Sequence, residues 1–202
     1  MPTPCHLLFT DLETTGLDPA LDDIIEAAFI LTTTDLTVIH DMRVLIRPGT
    51  SALDRLLAND DLVQMHTVNG LLHALGVTAR RAPDKFADDV RSLPHAQDLV
   101  LGMLHSRTIR PGQVHLAGSG VAAFDTPFLA RHMPRLHGLL HYAPIDVGVL
   151  RRTWQMWTGA DLVTANADKT HRAMDDARCH LAEAEAFRRV FTSLAAGRPI
   201  PG

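Results

Sequence analysis

The sequence has few of the features that mark secreted or membrane proteins. Only two of its 202 residues are cysteines, Cys5 and Cys179, and no run approaches the roughly 18 apolar residues of a membrane-spanning helix. Residues 1–6 lack the basic and then apolar pattern of a signal peptide. We therefore expect a cytoplasmic protein with no membrane association, in which both cysteines are reduced packing residues.

The chain also lacks a strong excess of charge, internal repeats and low-complexity segments. Its formal net charge of −4 argues against a surface that coats nucleic acid broadly. An enzyme that grips only a strand end needs no more than a local basic patch, so a nucleic-acid substrate stays open. With 46% hydrophobic residues, the chain can bury one substantial core. We expect a single domain over residues 1–196 and a flexible tail over residues 197–202.

The order of apolar segments predicts an α/β fold, with a mixed central sheet flanked by helices. Short runs rich in apolar and β-branched residues predict strands, of which the first three form an antiparallel meander: 6–10, 24–31, 37–46 and 114–117. Segments with helical spacing lie between and after them: 53–75, 83–105, 124–133, 146–157 and 174–194. Pro94 is expected to interrupt the second of these helical segments.

Two acidic residues, Asp11 and Glu13, follow the first predicted strand. Side chains two apart on an extended segment point to the same side, so the pair can hold metal ions between its carboxylates. Mg²⁺ and Mn²⁺ prefer oxygen ligands, and two such ions can activate a water and stabilise the leaving oxygen of a phosphodiester. A polar strand end entering a turn would have the same pattern. A phosphatase with an aspartyl nucleophile would have a second aspartate in place of Glu13.

Three segments resemble the motifs of DEDD exonucleases in their histidine-containing form: residues 9–18, 123–129 and 171–177. The chain is most similar to oligoribonucleases, and the likeness extends to further segments: 63–71, 131–136 and 140–147. The resemblance implies a ribonuclease H-like fold with antiparallel and parallel strands. It also implies two divalent metal ions, Mg²⁺ or Mn²⁺, and stepwise release of 5′-mononucleotides from a 3′ end.

The same resemblance assigns roles to five catalytic residues. It implies that neutral His171 takes a proton from the attacking water. It implies four metal ligands: Asp11, Glu13, Asp125 and Asp176. The neighbouring Asp175 is the alternative to Asp176. The spacing from the histidine favours Asp176, and one residue of a helix turns a side chain by about 100°.

Further residues are candidates for substrate contacts on this resemblance: Leu17, His66, Ser119 and Tyr142. Leu17 matches an apolar residue that wedges against bases, although a leucine in a turn could also plug the core. His66 matches a residue beside a substrate base. The likeness implies a homodimer in which Tyr142 reaches the partner's active site. Basic residues are candidates for phosphate contacts, with solvated surface as the alternative: Arg131, Arg135, Arg151, Arg152, Lys169 and Arg172.

The chain departs from oligoribonucleases at the residues that would enclose the 5′ phosphate of a dinucleotide. Ala143 stands where those proteins have an arginine, and Gly148 replaces a hydroxyl residue. Ser119 is then the nearby hydroxyl that could serve. The missing arginine predicts that strands of several nucleotides are trimmed almost as well as dinucleotides.

The favoured hypothesis is a 3′→5′ exonuclease that acts on short single-stranded oligonucleotides, with RNA preferred to DNA. One alternative is a DNA-trimming or proofreading exonuclease that uses the same five residues. The other is a non-catalytic module that binds nucleic-acid ends. A silent relative commonly loses at least one carboxylate, so the presence of all five residues argues against the module.

Overall fold

The structure is a computed structural model that describes residues 6–78, 81–163 and 170–199. Its five strands are β1 (His6–Thr14), β2 (Ile24–Thr33), β3 (Val38–Leu45), β4 (Val114–Gly118) and β5 (Ile145–Asp146). They form one sheet in the order β3-β2-β1-β4-β5. The first three strands pair antiparallel, and β4 runs parallel to both β1 and β5. The predicted antiparallel meander with added parallel strands is confirmed.

The helices cover the sheet and frame one end of β1. They are α1 (Thr50–Ala58), α2 (Asp60–Val68), α3 (Leu71–Leu75), α4 (Leu93–His105), α5 (Asp125–His132), α6 (Pro134–His137), α7 (Val147–Thr158) and α8 (Ala173–Ala195). The main core lies between the sheet and α4 and α5, and a second core lies between the sheet and α8. A third core joins α1, α2 and α3 to the edge of the sheet.

Alternation along β1 decides which side chains reach the site. Leu8 and Leu12 belong to the core formed with α4 and α5, whereas Phe9 belongs to the core formed with α8. Successive side chains of a strand point to opposite faces, so Asp11 and Glu13 share the face of Phe9. Both carboxylates therefore point toward the helix that carries the third motif.

Two local expectations were wrong. Pro94 does not interrupt a helix but lies in the first turn of α4, where a missing N–H costs nothing because no carbonyl precedes it in the helix. The helical segment expected over residues 83–105 begins only at Leu93. Further parallel strands were expected, but the position of β5 was not, because two residues are too few for a periodic signal. Asp146 ends β5 and caps α7, since its Oδ1 accepts a hydrogen bond from the Val149 amide at 3.1 Å.

Among the described residues, no helix is both long enough and apolar enough to cross a membrane. Cys179 is half-buried on α8, and Cys5 lies outside the described residues. Gly197 follows α8 with a left-handed backbone, φ 62°, and residues 200–202 of the expected tail also lie outside the described residues. The single domain stays a prediction.

Candidate active site

Three predicted site residues meet at the carboxyl end of β1. Ligand atoms of Glu13, His171 and Asp176 all lie within 4.8 Å of one another. Glu13 and Asp176 are buried, while His171 is exposed. Each residue comes from a different position, the end of β1, the segment before α8 and the first turn of α8. Two carboxylates and an imidazole at this separation have the chemistry of a divalent-cation site.

Asp125 adds a fourth polar group, as the first residue of α5. The backbone of Leu12, which lies between Asp11 and Glu13, hydrogen-bonds its carboxylate. Its Oδ1 is buried, and among the described residues no group hydrogen-bonds it. Burial is the main cause that raises the pKa of Asp125 to about 7; two backbone hydrogen bonds oppose the rise, and the nearby charge of Asp146 adds to it. A buried acceptor of this kind fits a metal ligand, because a bound cation would satisfy the oxygen.

Asp11 faces a histidine that the sequence analysis did not single out. The Nδ1 atom of His180 lies 4.0 Å from Asp11 Oδ1, and the ring is buried. His180 follows Asp176 by four residues, so both side chains lie on the same face of α8. That spacing was the signal that sequence analysis could have used. The close approach of α8 depends on Gly118, where an added Cβ would lie 3.4 Å from His180 Nδ1 and 2.7 Å from the Thr10 carbonyl oxygen.

His171 has an unusual backbone conformation for a residue that is not glycine. Its φ is 49°, in the left-handed region, and such strained residues cluster at functional sites. Its carbonyl oxygen accepts a hydrogen bond from Asn69 Nδ2 of the turn after α2. The strain is therefore held by a contact from a distant part of the chain.

The two neighbouring acids of the third motif lie in different environments. Asp176 is buried beside Glu13. Asp175 is exposed, and its Oδ2 accepts a hydrogen bond from Thr170 Oγ1 at 3.1 Å. This difference favours Asp176 as the ligand.

Leu17 and His66 lie in opposite settings. Leu17 is 82% exposed in the turn after β1, so it does not plug the core. His66 of α2 is fully buried, and burial lowers the pKa of its ring to about 4. The backbone of Thr14 partly opposes this lowering of the pKa. Neither ring nitrogen of His66 has a hydrogen-bond partner among the described residues. The structure thus places His66 in the interior and not at the protein surface.

The other substrate candidates lie around β4 and β5. Ser119 Oγ accepts a hydrogen bond from Arg151 Nη2 at 3.3 Å, and Arg151 Nη1 lies 3.0 Å from both carboxylate oxygens of Glu183. Tyr142 is exposed, and its ring centroid lies 4.6 Å from that of His141.

Carboxylates engage several of the candidate phosphate-binding residues. Arg151 pairs with Glu183, Arg135 pairs with Asp98, and Arg172 pairs with Glu26. Two others are exposed on α5 and α7: Arg131 and Arg152. Lys169 lies outside the described residues.

Comparison with known proteins gives close relatives by sequence. No family model matches the chain. The oligoribonuclease of Tropheryma whipplei (strain Twist) is 31% identical over 192 residues, which cover 94% of this chain and 95% of that protein. The oligoribonuclease of Sodalis glossinidius (strain morsitans) is 32% identical over 189 residues, or 94% of this chain and 97% of that protein.

Solved structures share the fold at lower identity. A moderately thermophilic Exonuclease I from Methylocaldum szegediense matches with a TM-score of 0.60 and 19% identity, over 91% of this chain and 40% of that one. E. coli Exonuclease I in complex with a dT13 oligonucleotide matches with a TM-score of 0.60 and 20% identity, over 96% of this chain and 44% of that one. The chain thus spans less than half of these proteins. The ribonuclease H-like fold is confirmed, and the sequence similarity across nearly the whole length shows that the chain belongs to the oligoribonuclease family.

Proposed function

We propose that the chain is a 3′→5′ exonuclease that releases 5′-mononucleotides from short single-stranded oligonucleotides, with RNA preferred to DNA. The observation that carries the proposal is the meeting of Glu13, His171 and Asp176 within 4.8 Å. The buried Asp125 is hydrogen-bonded to the backbone of Leu12, the residue before Glu13. Family membership supports the reaction, because the relatives are named oligoribonucleases. The structural neighbour E. coli Exonuclease I binds a dT13 oligonucleotide, which supports a single-stranded substrate.

Four carboxylates would hold divalent cations in this site: Asp11, Glu13, Asp125 and Asp176. The set fits Mg²⁺ or Mn²⁺, because it is rich in oxygen ligands and because Asp125 Oδ1 is a buried acceptor that a cation would satisfy. When bound, such ions lower the pKa of a water and stabilise the leaving oxygen of a phosphodiester. We propose two ions per site, which a titration of metal binding by calorimetry tests.

His171 would act as the general base. In its neutral form, a ring nitrogen takes the proton of the water that attacks the last phosphodiester. The new bond joins the water oxygen to phosphorus, and the bond to the 3′ oxygen of the preceding nucleotide breaks. The exposed position of His171 supports this role, because the imidazole can then pass the proton to solvent between turnovers.

We propose that Leu17 is the apolar contact for a substrate base, since its exposed side chain lies just beyond the two acids of β1. Ser119 would contribute a hydroxyl to the binding of the oligonucleotide, and the hydrogen bond from Arg151 would orient this hydroxyl. For His66, full burial argues against a direct contact with a base.

A homodimer with Tyr142 at the partner's active site is the arrangement we propose. Exposed apolar side chains that follow the tyrosine in the sequence support it, including Ile145 and Val149. A closed two-fold pair is also the commonest oligomer. Sedimentation velocity at micromolar concentration tests it, and a monomer alone would contradict it. The cytoplasmic location stays a prediction.

The decisive experiment offers 5′-labelled RNA and DNA ladders of graded length, with Mg²⁺, Mn²⁺ or chelator. We expect products that shorten one nucleotide at a time from the 3′ end, faster on RNA, and no cleavage in chelator. Asp176→Ala serves as the inactive variant, and Asp175→Ala is the matched control at the neighbouring acid. Faster cleavage of DNA would favour the DNA-trimming alternative. Binding of strand ends without cleavage would favour the non-catalytic module.

A further inference from the structure

A fully buried carboxylate that takes no part in the proposed chemistry lies beside the active site. Glu26 of β2 is 0% exposed and stands directly opposite Glu13 in the antiparallel register of β1 and β2. Opposite residues point to the same face with Cβ atoms about 4.5–5.5 Å apart, and like charges in this position destabilise each other. A buried charge in such a place is tolerated only when it is paired.

Arg172 is the principal partner of this carboxylate. Its Nε donates to Glu26 Oε2 at 3.1 Å and its Nη2 donates to Oε1 at 2.8 Å. The planar fork of a guanidinium fixes the orientation of both side chains. Arg43 Nη1 of β3 also donates to Glu26 Oε1, at 3.2 Å, so the carboxylate is enclosed by two cations.

Glu26 also caps the helix that carries the third motif. The first residue of α8 is Ala173, and its amide donates to Glu26 Oε2 at 3.0 Å. The N-cap residue of α8, Arg172, makes no side-chain capping bond. The free amides at a helix start need acceptors, and a negative charge there is favourable. Glu26 of the sheet therefore caps α8 at Ala173, which is only three residues before Asp176.

The same contacts reach the backbone at His171 and directly after it. Arg172 follows it directly in the chain, and Arg172 Nη1 donates to the carbonyl oxygen of Asn69 at 3.3 Å. Asn69 in turn donates from Nδ2 to the carbonyl of His171. The left-handed backbone of His171 is thus held between Asn69 and the ion pair of Arg172 with Glu26.

We propose that Glu26 is a positioning residue of the active site: through Arg172 and the Ala173 amide, it holds His171 and Asp176 against Glu13. This inference rests on the proposed function, because it assigns Glu26 to the support of the same site. Glu26 touches no reacting atom, and its effect passes through the backbone of the third motif. We call these contacts the anchor: those of Glu26 with Arg172 and the Ala173 amide, and that of Asn69 with the His171 carbonyl. Loss of the anchor should therefore lower kcat more than it raises KM.

The test compares two arginines, one at the N-cap of α8 and one within the helix. Arg172 pairs with buried Glu26 of β2, whereas Arg178 Nη2 pairs with exposed Asp41 Oδ2 of β3 at 3.3 Å. We expect Arg172→Gln to lower kcat about 10- to 100-fold, as for residues that orient ligands, with KM changed by less than about threefold. Arg178→Gln should keep the wild-type kcat. Arg172→Lys should recover part of the loss, because it keeps the cation without the fork.

Amide hydrogen exchange on the metal-free protein gives a second measurement that needs no turnover. We expect the amides in the first turn of α8 to exchange faster in Arg172→Gln and to be unchanged in Arg178→Gln. If the wild-type protein showed no nuclease activity, the proposed function would be refuted. Hydrogen exchange would then still test whether Glu26 and Arg172 hold the start of α8 in place. The two failures are thereby distinguishable.

Asn69→Asp replaces Arg172→Gln if the latter does not fold. The aspartate keeps an oxygen for the Leu71 amide, now 2.9 Å from Asn69 Oδ1, and removes the donor to the His171 carbonyl. A loss of kcat confined to the variants of this anchor supports the proposal. A wild-type kcat in the folded anchor variants overturns it. An equal loss in Arg178→Gln also overturns it, because the effect would then be a general loosening of α8.

Discussion

The substitution Asp125→Asn should stabilise the metal-free protein at neutral and alkaline pH, although it should also abolish cleavage. Burial raises the pKa of Asp125 from 3.8 to about 7. The folded state therefore binds this proton more tightly than the unfolded state does. The contribution of Asp125 to the free energy of unfolding is therefore most favourable below about pH 4, falls as the pH rises toward 7, and levels off above it.

The size of the effect follows from the shift. A difference of about 3 pH units corresponds to ~4 kcal/mol, since one unit is worth about 1.4 kcal/mol. Asp125 is 3% exposed, so solvent screens this cost little. Asparagine removes the charge and keeps the shape, so it removes the pH-dependent cost. The advantage of the variant should grow by roughly 2–3 kcal/mol between pH 5 and pH 8.

The assay is urea denaturation in chelator, followed by tryptophan fluorescence, at the two pH values. Addition of Mn²⁺ at pH 8 should stabilise the wild type and have much less effect on Asp125→Asn, because the cation would bind the ionised carboxylate. Asp175→Asn is the control, since Asp175 is exposed and should show no such gain. A variant that is less stable than the wild type at pH 8, or an advantage that does not change with pH, would refute the reasoning.

Further predictions concern catalysis and substrate length. His171→Ala should lower kcat by roughly 10²–10⁴-fold with a smaller effect on KM. A kcat of His171→Ala close to that of the wild type, measured where chemistry limits the rate, would exclude His171 as the base. Asp176→Ala should nearly abolish cleavage, whereas Asp175→Ala should do much less; the opposite result would exchange the two acids. RNA of several nucleotides should be cleaved with a kcat/KM within about tenfold of that for dinucleotides, a gap of at most ~1.4 kcal/mol, because Ala143 has no charge and Glu183 engages Arg151. A preference for dinucleotides of about a hundredfold would indicate that Arg152 binds the 5′ phosphate. Arg152 is close to Gly148, since its Nη1 lies 3.2 Å from the position that an added Cβ would take there.

The local pattern of the chain was sufficient for much of the fold and for the list of catalytic candidates. Alternation along β1 predicts that Asp11 and Glu13 share a face, because the side-chain period of a strand is two residues. Helical spacing predicts α8 nearly to its ends. Resemblance to three motifs then selected the five catalytic candidates, since each motif is a short local string.

Contacts between distant segments decided the rest. Local spacing does not distinguish Leu17, which is exposed, from His66, which is buried, because exposure depends on what packs over a residue. Glu26 is an acid inside an apolar strand, and its partner Arg172 lies 146 residues further along the chain. The raised pKa of Asp125 depends on burial and on the charge of Asp146, which lies 21 residues further along the chain in β5. Burial, pairing and charge are properties of the packed chain, so only the tertiary structure defines the environment in which the catalytic side chains act.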